Sequence, residues 1–285
     1  MKLFVAALCV SAALVTAPGV QAAEVALPPF YQKVTQMKAS GKLGTVIAKE
    51  KITTQIPGAQ AWRIAYISSD LFDRPTISTG LVIAPKGPMP KGGRPIIAWS
   101  HGTTGTAQNC GPSQEVDPAQ DLNQYFLIGG TSSTDFGVPA ATDFIKQGYV
   151  LVATDYQGLG GGGKHQYAIS ATQGRDLINS ARAAGSMGLS GDNKKVVFYG
   201  WSQGGGSVLA ATSSTAYIQK KNTAFDNMNV VGSVALAPVA LSAIFPKEAI
   251  TDQAVADKAW QEFAGAFSAN VFNFAHLAMA SWAMD

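Results

Sequence analysis

The sequence predicts an α/β fold built on a mostly parallel β-sheet with helices on both faces. Between residues 96 and 236, short apolar runs alternate with longer helical patterns, and parallel strands need such helical crossovers. Before this region, runs at 45–56, 62–68 and 79–84 are separated by Pro and Gly turns, which indicates an antiparallel opening. The length of 285 residues fits one large domain, or a core with a small cap.

Strands and helices of the parallel region can be assigned in order. Apolar runs predict strands at 96–99, 149–154, 196–199 and 230–236. Helices are predicted between them at 139–147, 172–187 and 204–217, with Gly148 and Gly188 ending the first two. After residue 238 the strand pattern stops, and residues 241–285 have a helical pattern that is apolar on nearly every side from residue 263 onward.

The N-terminus has the features of a cleavable export signal. Lys2 precedes an apolar run at residues 3–15, and small residues around Ala22 offer a cleavage site before Ala23. The run is too short to span a bilayer. We therefore expect residues 1–22 to be a signal peptide and the protein to be secreted or periplasmic; an uncleaved anchor or a buried helix is the alternative.

Composition excludes several classes of protein. The chain is 47% hydrophobic and 14% charged, so it can bury a large core. The net charge is only +3 and the basic residues form no stripe along the sequence, so we expect no nucleic-acid partner. Three scattered histidines, and a mature chain left with the single cysteine Cys110, offer no metal-ligand spacing. We expect no metal and no cofactor.

The strongest motif is Gly-Trp-Ser-Gln-Gly at residues 200–204, which matches G-x-S-x-G. It lies between a predicted strand and a predicted helix, the setting in which a sharp turn lifts the serine hydroxyl above the sheet. Glycines flank the serine because a Cβ there would collide with the neighbouring strand or helix. Ser202 is therefore the candidate nucleophile; a plain glycine-rich turn is the alternative.

A second motif, His-Gly-Thr-Thr-Gly, follows the strand at 96–99. In the layout that the serine motif implies, the loop after this earlier strand supplies one N–H of an oxyanion hole, and the residue after the nucleophile supplies the other. Gln203 is thus one candidate donor, and Thr103 or Thr104 is the other, without a choice between them. We interpret His101 as a residue that orders this loop and not as a catalytic base.

Four stretches together resemble the secretory lipases, a bacterial and fungal family that includes the Candida-type lipase A. They lie at residues 101–105, 110–113, 155–160 and 200–204, in the order and spacing of that family. The resemblance implies an α/β-hydrolase core, assigned to residues 23–240, and hydrolysis of lipid or other carboxylic esters. It also implies a helical lid, of which residues 241–285 would be the start.

A serine hydrolase needs a base and a carboxylate after its nucleophile. Only His276 follows Ser202 among the histidines, and it lies in an apolar helical pattern. Asp252 and Asp257 look like surface residues of cap helices. With no strand pattern after residue 236, we expect the C-terminal strands to be missing. If the 285 residues were the whole protein, we would expect little or no hydrolase activity.

Cysteine usage agrees with that expectation. Cys9 lies in the predicted signal peptide, so Cys110 has no partner in the mature chain. In the secretory lipases the matching cysteine often pairs with a distant downstream one. Two alternatives to a lipase stay open: a peptidase or acyl-esterase on the same fold, and an inactive remnant or binding protein.

Two further patterns have competing interpretations. Gly158–Gly163 with Lys164 fits a dinucleotide motif and nearly a phosphate loop, but no helix opens directly after it, so we expect a flexible rim of the active-site cleft instead. An apolar stripe on the lid segment consists of Phe263, Phe267, Val271 and Phe274. We expect it to pack against the core, with contact to a lipid interface as the alternative.

Overall fold

The computed structural model describes residues 26–124, 134–238, 246–267 and 270–284, so the predicted signal peptide lies outside the described residues. Within these residues, seven strands form one sheet in the order β1-β2-β3-β5-β4-β6-β7. In chain order the strands are β1 (Val46–Ile52), β2 (Ala59–Ser69), β3 (Pro75–Pro85), β4 (Ile96–Ser100), β5 (Val150–Gln157), β6 (Lys195–Trp201) and β7 (Asn229–Leu236).

The sheet changes direction at β3. The pairs β1–β2, β2–β3 and β3–β5 are antiparallel, whereas β5–β4, β4–β6 and β6–β7 are parallel. Both the antiparallel opening and the parallel second part are therefore confirmed. Strands β2 and β3 are longer than predicted, because a tight hairpin between Ser69 and Pro75 pairs them over eleven positions.

Helices cover both faces of the sheet. They are α1 (Pro29–Val34), α2 (Ala141–Lys146), α3 (Ser170–Ser186), α4 (Gln203–Ser213), α5 (Thr215–Ile218), α6 (Gln253–Phe267) and α7 (Val271–Met284), with short 3-10 helices at Gln108–Cys110, Pro112–Gln114 and Lys247–Ile250. One core cluster lies beneath α3 and α4, a second beneath α2, and a third, smaller one includes Val34 of α1. This arrangement confirms the predicted fold class.

The predicted helix at 204–217 is wrong in one respect, because it breaks at Ser214. That residue has φ −85° and ψ 49°, outside the helical region, and separates α4 from α5. The hydroxyls of Ser213 and Ser214 both donate to the carbonyl of Ala210. Serine hydroxyls that bond to the backbone compete with the helical pattern, which accounts for the break.

Beyond Leu236, the described residues form helices and turns, with no further strand. Helices α6 and α7 follow β7 in the segment that was assigned to a lid. Neither of them, nor any other helix in the described part of the chain, is long and apolar enough to cross a bilayer.

Candidate active site

Ser202 lies in the sharp turn between β6 and α4. Its backbone has φ 54° and ψ −119°, a conformation that residues other than glycine adopt only under strain. The turn is held because the Ser202 amide donates to the carbonyl of Leu236 at the end of β7 (2.9 Å). The serine therefore occupies the strained strand-to-helix position that the motif predicts, at the N-terminus of α4.

Glycines around Ser202 are required by close packing. A Cβ at Gly204 would lie 1.9 Å from the carbonyl oxygen of Ser100, and one at Gly200 would lie 2.5 Å from that of Gly204. Both separations are far below van der Waals contact. The end of β4 and the first turn of α4 thus approach each other more closely than any side chain allows, as predicted.

The loop after β4 lies beside this turn, because β4 and β6 are neighbouring parallel strands with Ser100 opposite Gly200. Gly102 packs against the indole of Trp201, where a Cβ would lie 2.9 Å from the ring. The hydroxyl of Thr103 bonds to that of Tyr167 (2.8 Å). The structure therefore brings the predicted loop, with both Thr103 and Thr104, next to Ser202.

His101 is buried inside this loop. Its Nδ1 donates to the carbonyl of Gly102 (2.6 Å), and its ring lies 4.5 Å from that of Tyr156. Burial lowers the pKa of His101 to about 4, so the ring is neutral at neutral pH. A neutral ring whose one proton is held by a carbonyl orders a loop, in agreement with the interpretation of His101.

Sequence reasoning missed a second buried histidine at the site. His165 donates from Nδ1 to the carbonyl of Gln157 (2.8 Å), and its Nε2 lies 3.2 Å from Nε2 of Gln203. Burial lowers the pKa of His165 to about 4. The residue lies 38 positions before Gln203 in the sequence, and no local pattern signals this contact.

Asp155 joins two of the four stretches that carry the family resemblance. Its carboxylate accepts hydrogen bonds from the amide and the hydroxyl of Ser113 and from the hydroxyl of Thr79, with the amide at 2.9 Å and Thr79 at 2.7 Å. Tyr31 donates to the Ser113 hydroxyl in turn (2.6 Å). Burial raises the pKa of Asp155 to about 6, against the opposing effect of these hydrogen bonds.

The glycine-rich loop after β5 is packed into the fold. A Cβ at Gly158 would lie 2.2 Å from the amide nitrogen of His165, and one at Gly161 would lie 2.3 Å from the carbonyl oxygen of Ile77. Helix α3 begins only at Ser170, so no helix opens at the loop. The expectation of a flexible rim needs correction: most of the loop is buried, and its glycines permit close packing.

His276 lies on α7, half-buried, with its ring 6.3 Å from that of Tyr167. The ammonium of Lys164 lies 4.8 Å from the ring centre of Trp282 on the same helix. These two contacts place α7 against residues 164–167, the segment that also reaches Thr103 and Gln203. The structure thus places His276 on the side of the site where Tyr167 meets the loop after β4.

The expectation that the apolar stripe packs against the core is wrong for part of it. Phe263 is buried beside Trp260, but Val271 is 76% exposed and Phe274 57% exposed. The side chain of Phe267 lies outside the described residues. The exposed side chains of α7 follow a helical period and form an apolar face, made of Val271, Phe274, Ala275, Ala278 and Trp282.

Three other sequence expectations concern polar residues. Asp252 is exposed and its carboxylate accepts the amides of Ala254 and Val255 at the start of α6, and Asp257 is also exposed, so both are surface residues as predicted. Cys110 is a free, half-buried thiol. In the described part of the chain, no group of three or more His, Cys, Asp or Glu residues could hold a metal ion.

The chain is similar to known proteins in sequence and in fold. The family model for secretory lipases matches residues 128–265. The rice cell wall degrading esterase LipA from Xanthomonas oryzae is 23% identical with a TM-score of 0.51, covering 73% of this chain and 54% of that one. Lipase A from Candida antarctica is 19% identical with a TM-score of 0.50, covering 72% of this chain and 44% of that one.

These similarities differ in what they establish. At such identities the two solved structures show the fold, an α/β-hydrolase sheet with its helices. The chain spans about half the length of these solved structures. No curated protein sequence matches this chain.

Proposed function

Because the chain resembles the secretory lipases in both sequence and fold, we propose that it is a secreted serine hydrolase that cleaves carboxylic esters of lipids. The observation that carries this proposal is Ser202 itself, held at positive φ at the N-terminus of α4. A strained residue at a site of this shape is typical of a nucleophile held ready for reaction. Export through a signal peptide at residues 1–22 is part of the proposal.

In the proposed reaction the hydroxyl oxygen of Ser202 attacks the acyl carbon of the ester. The carbonyl oxygen becomes an oxyanion, which accepts hydrogen bonds from the N–H of Gln203 and from that of Thr103 or Thr104. Gln203 is the first residue of α4, where helical N–H groups have no acceptor within the helix. The alcohol leaves with the serine proton, and water then hydrolyses the acyl-serine to regenerate Ser202.

Proton transfer needs a histidine close to the nucleophile. His101 and His165 are buried with pKa values near 4, and each donates from Nδ1 to a backbone carbonyl. Nε2 of His101 faces the carbonyl of Asp155 (3.4 Å), and Nε2 of His165 is engaged by the Gln203 amide. His276 follows Ser202 in the sequence and lies on the helix that packs against Tyr167, and it is the candidate base of the proposal.

Lipid is the proposed substrate class because of the surface of α7. Its outer face carries exposed aromatic and aliphatic side chains and no charge, next to the candidate site. An exposed apolar face of this kind favours contact with a lipid surface, and therefore lipid esters over small polar esters as substrates. We therefore include contact with a lipid interface through α7 in the proposal.

The test is labelling with a fluorophosphonate, which reacts only with an activated serine. Intact mass should show one adduct per chain, and peptide mapping should place it on Ser202. Ser202→Ala should abolish both the adduct and turnover of p-nitrophenyl esters, while an unfolding curve confirms that the variant is folded. An unlabelled wild-type protein would contradict the proposal and favour a binding protein on a hydrolase fold.

A further inference from the structure

We propose that His165 and Tyr167 are positioning residues that hold the two halves of the oxyanion hole at a fixed separation. This inference rests on the proposed function, because it concerns the same reaction. Tyr167 bonds to Thr103 on the loop after β4, and His165 contacts Gln203 on the turn after β6. We call residues 164–168 the bridging segment, because the side chain of Tyr167 reaches one half and that of His165 reaches the other.

The two hydrogen-bond partners of His165 determine which of its ring nitrogens carries the proton. Its Nδ1 lies 2.8 Å from the Gln157 carbonyl, which can only accept, so Nδ1 carries the ring proton. Nε2 is then an acceptor, and it receives the side-chain N–H of Gln203 at 3.2 Å. The neutral ring thus orients the side chain of Gln203, the same residue whose backbone N–H is a proposed oxyanion donor.

Tyr167 makes the second connection. Its side chain is buried, and its hydroxyl lies 2.8 Å from the Thr103 hydroxyl. Thr103 lies in a loop that contains two glycines, Gly102 and Gly105, so the chain there has wide conformational freedom without such a partner. A bond from a buried tyrosine to the middle of this loop restricts where the Thr103 and Thr104 N–H groups point.

The bridging segment is itself anchored to the helix of the nucleophile. Gln173 donates from its side chain to the carbonyl of Gln166 (2.9 Å), and the Ser207 hydroxyl of α4 donates to the same Gln173 side chain (3.2 Å). The close approach of Gly158 to the His165 amide leaves no room for the segment to shift on its other side. The distance between the loop after β4 and the turn after β6 is therefore set by these side-chain contacts as well as by the pairing of the two strands.

This separation matters because an oxyanion donor must lie within about 2.7–3.1 Å of the charge that develops. A misplacement of about 1 Å at such a site costs up to 100-fold in rate. Loss of a positioning bond should therefore reduce kcat and leave KM unchanged, because substrate binding does not depend on the donors in the same way.

The kinetic test is a double-mutant cycle on the bond between Tyr167 and Thr103. Tyr167→Phe and Thr103→Val each remove one partner of the same bond, and each should lower kcat roughly tenfold with KM unchanged. The double variant should be no slower than either single one, and Thr103→Ser, which keeps the hydroxyl, should be faster than Thr103→Val. For the other half, His165→Gln keeps an acceptor for Gln203 and should retain more activity than His165→Met.

The control is Tyr217→Phe, which also removes a buried hydroxyl. That hydroxyl accepts from Asn179 (2.8 Å) and bonds to Ser69 (2.7 Å). Tyr217 lies on α5, and the whole of α4, eleven residues or about 16 Å long, lies between it and Ser202 along the chain. It should lower stability without changing kcat.

A measurement independent of turnover distinguishes failure of this inference from failure of the proposed function. The backbone amide signals of Gln203, Thr103 and Thr104 in ¹H–¹⁵N spectra should shift in Tyr167→Phe and in His165→Met, but not in Tyr217→Phe. Absence of Ser202-dependent turnover with shifted amides overturns the function and supports the positioning. Unshifted amides, or additive losses of kcat in the double variant, overturn the positioning.

Discussion

The side-chain oxygen of Gln108 accepts the backbone amide of Gly162 at 2.9 Å, inside the glycine-rich loop after β5. The same oxygen accepts the amide of Gly160 (3.2 Å), and the Gln108 side-chain nitrogen donates to the carbonyl of Gly163 (2.6 Å). Backbone amides converging on one point are what a phosphate group would need. Here a neutral side chain of the same protein already occupies that point, which accounts for a nucleotide-like glycine pattern without a nucleotide.

Gln108→Ala should therefore loosen this loop. It leaves two amides without their acceptor, at a cost of about 1–3 kcal/mol for each that stays buried. Hydrogen exchange at Gly160 and Gly162 should accelerate, while Gln219→Ala, at an exposed glutamine after α5, should leave it unchanged. Neither wild type nor variant should be stabilised by ATP or NAD in a thermal unfolding assay. A nucleotide-dependent rise in Tm would contradict this account of the loop.

Gly204→Ala should prevent normal folding around the nucleophile. The new Cβ would lie 1.9 Å from the Ser100 carbonyl oxygen, and neither backbone segment can withdraw without moving β4 or α4. We expect a loss of at least about 3 kcal/mol in the free energy of unfolding. The matched control is Gly265→Ala on α6, where a Cβ meets nothing within 4 Å and should stabilise the helix by roughly 0.5–1 kcal/mol. Equal stabilities of the two variants in urea unfolding would refute this packing argument.

The contrast between these glycines illustrates what sequence can predict. The turn at Ser202 and the glycines around it follow from steric limits within a few residues, and β4 and β6 follow from short apolar runs. The contact between His165 and Gln203 depends instead on a crossover of 38 residues, so no local pattern specifies it. The exposure of Val271 and Phe274 likewise depends on which neighbours α7 meets, and an all-apolar helix does not specify which of its faces is covered.

Asp176 should make stability depend on pH in an unusual direction. Burial raises the pKa of this fully buried carboxyl from 3.8 to about 6, although Ser78 and the Gln157 amide donate to it. Between pH 4 and 6 the folded state therefore binds more protons than the unfolded state. The favourable contribution of Asp176 is fully present below pH 4 and is lost as the pH rises through 6.

The measurement compares wild type with Asp176→Asn by urea unfolding at several pH values. The stability of wild type relative to the variant should fall by about 2 kcal/mol between pH 4 and pH 7. The difference between the two proteins is the useful quantity, because His101 and His165 have lowered pKa values that act in the opposite direction in both. A relative stability that is constant with pH would contradict the assignment.

Phe274→Gln should weaken binding of the protein to a lipid surface. Phe274 is 57% exposed on the apolar face of α7, and burial of a phenylalanine in an apolar phase stabilises by about 1.5–3 kcal/mol. Partitioning onto zwitterionic phosphatidylcholine vesicles, measured by flotation, should therefore fall roughly tenfold or more. The matched control is Phe72→Gln, which removes a phenylalanine that is 66% exposed in the turn between β2 and β3. Loss of binding in Phe274→Gln alone places the lipid contact on α7, whereas equal losses in both variants would mean that exposed aromatic residues bind vesicles wherever they lie.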